Sequence, residues 1–370
     1  MEVLYVDPDA ARLLDAVANA GGVKLRQLSL TDARKAADAM AQQLDLPCGA
    51  ECTVADLTVA GARPIPARLY SPCDAQRVIH GGAPATPVIL YAHGGGWMLG
   101  SLDFCDSLCR HLATRSGYRV LSLDYRLAPE HPFPAAYEDV QAVARWVHRS
   151  PAELGEAVAG IALAGDSAGA GLIAAATLTH PGDEPIPVLA ALMFYPVTDI
   201  SRTTQSYEAF SDGFLLEAAD MHYFAEAYLP EPNVRTDPRV SPLLAADLDS
   251  FPPTTLLTCG LDVLRDEGRA FAARLAQTGV DITYIEARGQ VHGIATMRGA
   301  IPSARVPVDR AIDDFARHIR QSVASRRVGR CATLSYRTIE GEPVAGLLET
   351  KLDADCARSI AAAAATRDGQ

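Results

Sequence analysis

Gly160-Ile161-Ala162-Leu163-Ala164-Gly165-Asp166-Ser167-Ala168-Gly169, continued by an alanine- and leucine-rich run to Leu178, decides how the rest of the chain is read. A short apolar run that turns at once into a helical pattern reads as strand, tight turn, helix. Ser167 stands at the apex of that turn, with Gly165 and Gly169 two positions to either side. Only residues without a side chain let the flanking backbone come close enough to force the serine into a strained, outward-pointing conformation. Such a serine is held at the top of a sheet and at a helix N-terminus, as in a nucleophile elbow. A bare Gly-x-Ser-x-Gly is a weak sign in an alanine- and glycine-rich chain, so the surrounding pattern has to carry the reading.

Upstream, residues 53–59 and 65–70 alternate with period two and read as strands joined by a turn at Gly61-Ala62-Arg63. Residues 88–91 form a short apolar run, a buried strand that leads into His93-Gly94-Gly95-Gly96-Trp97. A helix over 103–114, a strand over 119–124 and a helix over 135–148 follow. Downstream come strands over 188–195, 254–259 and 282–287, with helices over 266–277 and 306–323. Strand and helix alternate, which predicts an α/β fold: a mostly parallel sheet with helices on both faces.

Two segments interrupt this order. Residues 1–50 read as a helical segment of cap or surface-arm type. Its second helix starts at Ser29 and carries Ala33, Ala36, Ala37, Met40 and Leu44 on one side. Residues 198–240 lose regularity and scatter aromatics, among them Tyr207, Phe210, Phe214 and Phe224, among polar residues. That is the composition of a cap insertion between core segments 51–197 and 241–323. Residues 324–370 are too slight for a core of their own; a docked extension, a dimer arm or disorder would each account for them.

Composition narrows the function classes. Hydrophobic residues make up 49% of the 370 and charged ones 21%, which excludes a wholly disordered chain. A net charge of −12 disfavours nucleic acid and anionic membranes as partners. No apolar run reaches the roughly 18 residues of a membrane span, and the first residues lack the basic start of a signal peptide. A soluble, cytoplasmic protein is therefore expected. Of the eight cysteines, Cys48/Cys52 and Cys105/Cys109 are spaced by four. With only His111 nearby as a further ligand, they read as small buried hydrophobes rather than a metal site.

Hydrolysis by a serine needs a nucleophile, a base oriented by an acid, and donors for the developing oxyanion. Ser167 supplies the first. His292 follows the late strand 282–287 and suits the base, and Asp262 ends the stretch before it and suits the acid. Their order, Ser, Asp, His, is the one in which α/β sheets of this type carry a triad. Parallel strands bring their C-terminal ends to one edge, so three residues distant in sequence can meet there. The glycines after His93 leave backbone N–H groups bare, and Gly94, Gly95 and Ala168 are the expected oxyanion-hole donors. The lysine and spacing of a phosphate-binding P-loop are absent. His93 and Asp166 read as structural support, and helix N-terminal placement accounts for Asp266 and Glu267.

From about residue 5 to 322 the chain resembles the hormone-sensitive lipase family of α/β-hydrolases. The matching pieces are His93-Gly94-Gly95-Gly96-Trp97, Asp124-Tyr125-Arg126-Leu127-Ala128-Pro129-Glu130, Gly165-Asp166-Ser167-Ala168-Gly169, Asp262-Val263-Leu264-Arg265-Asp266-Glu267-Gly268 and Val291-His292-Gly293. The resemblance implies an eight-stranded sheet, a helical cap completed by the insertion, Arg126 and Glu130 as polar support for the active-site edge of the sheet, and hydrolysis of carboxylic esters without metal or cofactor. Ile294 stands where the family usually has an aromatic, and the tail beyond Val323 has no counterpart.

The expectation is a serine carboxylesterase for short- to medium-chain esters, with Trp97, Phe214 and Ile294 as substrate-pocket candidates. An amidase or deacetylase with the same triad is one alternative. A non-catalytic small-molecule receptor on the same scaffold is another, which the intact Ser167, Asp262 and His292 disfavour. The partner so implied is a small-molecule ester, with a homodimer left open by the tail.

Overall fold

Eight strands of the expected sheet form in the computed structural model, which describes residues 4–21, 23–47, 52–73, 85–178, 185–325 and 335–336. They are β1 (Cys52–Val59), β2 (Ile65–Pro72), β3 (Ala85–Ala92), β4 (Arg119–Leu123), β5 (Ala157–Asp166), β6 (Val188–Phe194), β7 (Thr254–Leu261) and β8 (Ile282–Val291). A two-residue strand, β9 (Ser335–Tyr336), adds to the outer side of β8. The order across the sheet is β1-β2-β4-β3-β5-β6-β7-β8-β9. β2 runs antiparallel to both β1 and β4, and all later pairs are parallel.

Local sequence explains the placement of the strands. β1 buries only its end residues, Cys52 and Val59, and leaves those between exposed or half-buried, as an edge strand can. The second half of β5 and all of β7 are buried on both faces, which is why β5 is written there as an apolar run and β7 carries only small or apolar side chains, its threonines included. Ile161 and Leu163 are 0% and 1% exposed, and each contributes roughly 1.5–3 kcal/mol of burial to the centre of the sheet.

The helices are α1 (Pro8–Ala20), α2 (Leu30–Leu44), α3 (Asp106–Ser116), α4 (Ala135–His148), α5 (Ser167–Thr177), α6 (Gln205–Ala209), α7 (Ala218–Tyr228), α8 (Arg265–Gln277) and α9 (Arg305–Ser325). α3 packs with α9, α4 with α5, and α8 on β7, so both faces of the sheet are covered. Asp7 caps α1 by accepting the amides of Asp9 and Ala10, and Ser29 caps α2 as expected by accepting the Asp32 amide at 3.2 Å. The buried face of α2 is Ala33, Ala37 and Ala41, while Met40 is 44% exposed. Small residues four apart let the helix lie close on the core, and this turns Met40 outward. Among the described residues no helix is long and apolar enough to cross a membrane. The expectations for residues 326–334 and 337–370 and for Cys48 fall outside the described residues.

Five of the parallel strands end at one edge, and the residue after each carries a polar side chain: His93 after β3, Ser167 after β5, Tyr195 after β6, Asp262 after β7 and His292 after β8. The register Ala92↔Gly165 and Asp166↔Phe194 keeps the ends of β3, β5 and β6 close to level, and Leu261↔Val291 does the same for β7 and β8, which run on past the end of β6, where Phe194 pairs with Leu257.

Candidate active site

Ser167 has φ of +53°, a conformation that costs a non-glycine residue energy and survives only where its surroundings enforce it. Gly169 shows how they do so. A Cβ there would run into the carbonyl oxygens of Ala92 and His93, so only glycine lets α5 start this close to β3. The serine sits on the first turn of α5 and is 8% exposed.

The three residues expected to meet are brought together. His292 Nε2 lies 2.9 Å from Ser167 Oγ, and His292 Nδ1 lies 2.8 Å from Asp262 Oδ2. A carboxylate only accepts, so Nδ1 carries the proton and donates it to Asp262, which leaves Nε2 to accept from the serine hydroxyl. The second oxygen of Asp262 accepts the Leu264 amide at 2.9 Å, which fixes the carboxylate's rotation. Asp262 is 1% exposed. This low-dielectric setting strengthens the hydrogen bonds it makes.

The glycine loop departs from expectation at its first position. The Gly94 amide donates to Asp166 Oδ1 at 2.8 Å, and the Tyr91 hydroxyl donates to the same oxygen at 2.6 Å. Asp166 is buried, which pushes its pKa up, while these two donors stabilise the ionised form. A buried carboxylate has to be satisfied, and Gly94 is thereby withdrawn from the oxyanion-hole set. The amides of Gly95, Gly96 and Ala168 have no partner among the described residues.

His93 braces the loop from behind. It is fully buried, and burial pushes its pKa down to about 4, so the imidazole is neutral. Its Nδ1–H donates to the Gly94 carbonyl at 2.7 Å, and its ring stacks on Tyr125 at 4.3 Å. The Tyr125 hydroxyl in turn donates to the His93 carbonyl at 2.7 Å. Arg126 forks onto Asp139, with contacts of 2.8–3.0 Å, in the supporting position expected of it.

Two of the three pocket candidates are interior residues. Trp97 is 2% exposed and lies flat on the Tyr228 ring of α7 at 4.6 Å and 3°, and Ile294 is 0% exposed. Both apolar side chains find full burial against neighbouring elements and present no free surface to a substrate. Phe214 stays half-buried, edge-on to Phe210 at 5.3 Å.

The N-terminal segment and α7 meet over this edge. Arg26 bonds Asp220 at 2.6 Å and Glu217 at 2.9 Å, and Lys24 also pairs with Glu217. Burial works to raise the Glu217 carboxyl, but these cations hold it at about 2. From α2, Arg34 donates to the carbonyls of Met98 and Ala128 at 2.9 and 3.0 Å and forks onto Glu130, whose carboxyl it holds at about 2. The Phe224 ring of α7 fills the space a side chain at Gly96 would need. Sequence reasoning missed Tyr91, Arg34 and Tyr195. For Tyr195 the available signal was its place directly after an apolar strand, the same signal that marks Ser167 and His292.

No group of three or more metal-ligating side chains is assembled among the described residues. Cys105, just before α3, and Cys109, on it, are buried, as expected of small hydrophobes.

A family model described as alpha/beta hydrolase fold matches residues 89–296. The carboxylic ester hydrolase LipN of Mycobacterium tuberculosis is 43% identical over 242 residues, which span 63% of this chain and 62% of that relative's length. The esterase LipI of the same organism is 35% identical over 313 residues, 83% of this chain and 93% of the relative. Among solved structures, the ester hydrolase EH1AB1 from the Lake Arreo metagenome, complexed with a derivative of bipyridine phosphonate, aligns with a TM-score of 0.78. It is 36% identical and the match covers 85% of this chain and 99% of that one.

Proposed function

Since the chain belongs to the alpha/beta-hydrolase family, among its hormone-sensitive-lipase-like esterases, we propose that it is a serine carboxylesterase of the Gly-Asp-Ser-Ala-Gly subgroup. Ser167 Oγ attacks the ester carbonyl carbon as its proton passes to His292 Nε2. Asp262 holds the imidazole's tautomer and stabilises the imidazolium. The amides of Gly95, Gly96 and Ala168 receive the oxyanion of the tetrahedral intermediate. Collapse breaks the C–O bond to the alcohol, which leaves with the proton from His292 and the acyl group on Ser167. Water then attacks the acyl carbon as its proton passes to His292, the bond to Ser167 breaks as His292 returns that proton to Oγ, and the acid leaves.

The observation that carries this reading is the unbroken pair of hydrogen bonds, 2.9 Å from Ser167 to His292 and 2.8 Å from His292 to Asp262, on a serine held at positive φ. The N-terminal segment 1–50 and the insertion 198–240 together form the cap, a reading supported by the contacts of Lys24 and Arg26 with Glu217 and Asp220. Phe224 lies directly on the glycine loop. That closeness favours short- to medium-chain acyl groups.

The test is burst release of p-nitrophenol from p-nitrophenyl acetate, butyrate and decanoate. Wild type gives a burst of one equivalent with the shorter esters preferred, and Ser167→Ala gives none. Wild-type turnover in the alanine variant would overturn the proposal.

A further inference from the structure

Tyr195 is a strand-end side chain at the catalytic edge without a role in the scheme above. It follows β6 directly, between the ends of β5 and β7. Its φ is +37°, a left-handed backbone that a bulky residue adopts only under compulsion. Its own amide donates to the Leu257 carbonyl of β7 at 2.5 Å, which pins the strained residue between two strands. The side chain is 1% exposed.

What that strained backbone places is a ring against the imidazole. The centroids of Tyr195 and His292 are 4.6 Å apart, with the planes tilted by 59°. The Tyr195 hydroxyl accepts the amide of Ala295 at 3.2 Å. Ala295 lies in the single 3-10 turn Ile294–Thr296 that follows Gly293, so one side chain touches both the base and the turn carrying it. Asp262 fixes His292 only through Nδ1 and leaves the ring free to swing about that bond. A wall on its face removes this freedom.

We propose that Tyr195 is a positioning residue for the hydrolysis: its ring forms the wall that keeps His292 Nε2 within reach of Ser167, and its hydroxyl holds the following turn in register. The inference rests on the triad reading given under Proposed function. It assigns the strain at residue 195 to the placement of the base. Misplacing a catalytic group by about 1 Å can cost roughly a hundredfold in rate, so the wall matters even though it takes no part in the bonds made and broken.

The experiment compares wild type with Tyr195→Leu, Tyr195→Met and Tyr195→Phe. The first two differ in shape, so that a packing failure in one leaves the other readable. Folding is checked by thermal melting, steady-state constants are measured on p-nitrophenyl butyrate, and Ser167 is labelled with an organophosphonate. The Leu and Met variants are expected to lose about tenfold to a hundredfold in kcat with KM within about twofold, and to be labelled more slowly by the same factor. Tyr195→Phe, which keeps the ring, should retain at least about a third of wild-type kcat. A folded Leu or Met variant with wild-type kcat overturns the inference, as does a rise in KM at unchanged kcat, or a Phe variant as slow as Leu. Wild type that resists the phosphonate overturns the triad reading itself, and the inference falls with it. Labelled wild type with unaffected variants sinks only the role of Tyr195.

Discussion

The Asp166 carboxylate accepts the Gly94 amide at 2.8 Å, and this bond ties the residue before the serine to the first glycine of the loop facing it. The same oxygen accepts the Tyr91 hydroxyl at 2.6 Å. Asp166 thus sets where the next two amides lie, without contributing a donor of its own. Replacing it with Ala leaves a buried hydroxyl and a buried amide unpaired, at a cost of roughly 1–3 kcal/mol for each. We expect Asp166→Ala to lose stability in urea denaturation and to lower kcat more than it raises KM. A variant with unchanged kcat would mean that the glycine loop holds its shape unaided.

Asp262→Asn keeps the volume of the acid but donates where His292 Nδ1 also donates. The imidazole must then turn or change tautomer, and Nε2 no longer accepts from Ser167. The expected loss in kcat is about 10⁴-fold, with the fold intact. Initial rates on an activated ester, beside a melting curve, check this.

Arg298 is 1% exposed and forks onto Asp45 at 2.9 and 2.7 Å, joining the end of α2 to the segment just beyond His292. Removing one partner of such a buried pair costs about 3–5 kcal/mol, because the other charge is left in a dry site. Arg298→Met should therefore be far less stable than wild type. Adding Asp45→Leu should recover much of the loss, since it removes the orphaned carboxylate. Urea midpoints of the two variants decide the matter; equal midpoints would show that the arginine alone carries the contact.

Glu217 sits where Lys24 and Arg26 reach across from the N-terminal segment, and its carboxyl is held at about 2. A carboxyl depressed below its unfolded value near 4.3 stabilises the fold at pH above that value and loses the contribution as pH falls toward about 2. Stability should decline over that window, and Glu217→Gln should flatten the decline and cost roughly 1 kcal/mol at neutral pH. Melting temperatures from pH 2 to 7 in both proteins test the sign. If the acid limb is as steep in the variant, the contact between the two segments contributes nothing.

Much of this protein is legible along the chain, because the signals are local. A strand that stops at a glycine and turns into a helix is written in consecutive residues, so Ser167, Asp262 and His292 could each be placed at a strand end. Parallel strands then bring those ends to one edge whatever the intervening sequence. Tertiary structure alone decided the rest. The Gly94 amide meets an acceptor 72 positions away, and no spacing rule reveals that Asp166 takes it. Trp97 and Ile294 have the chemistry of pocket residues, but packing by Tyr228 and the core leaves them no open surface. The strain at Tyr195 likewise belongs to no local pattern: it exists because two neighbouring strands and an imidazole constrain one residue from different directions. Backbone tendencies are short-ranged and so can be read in order, whereas burial and the choice of hydrogen-bond partner depend on which distant segments come to share a space.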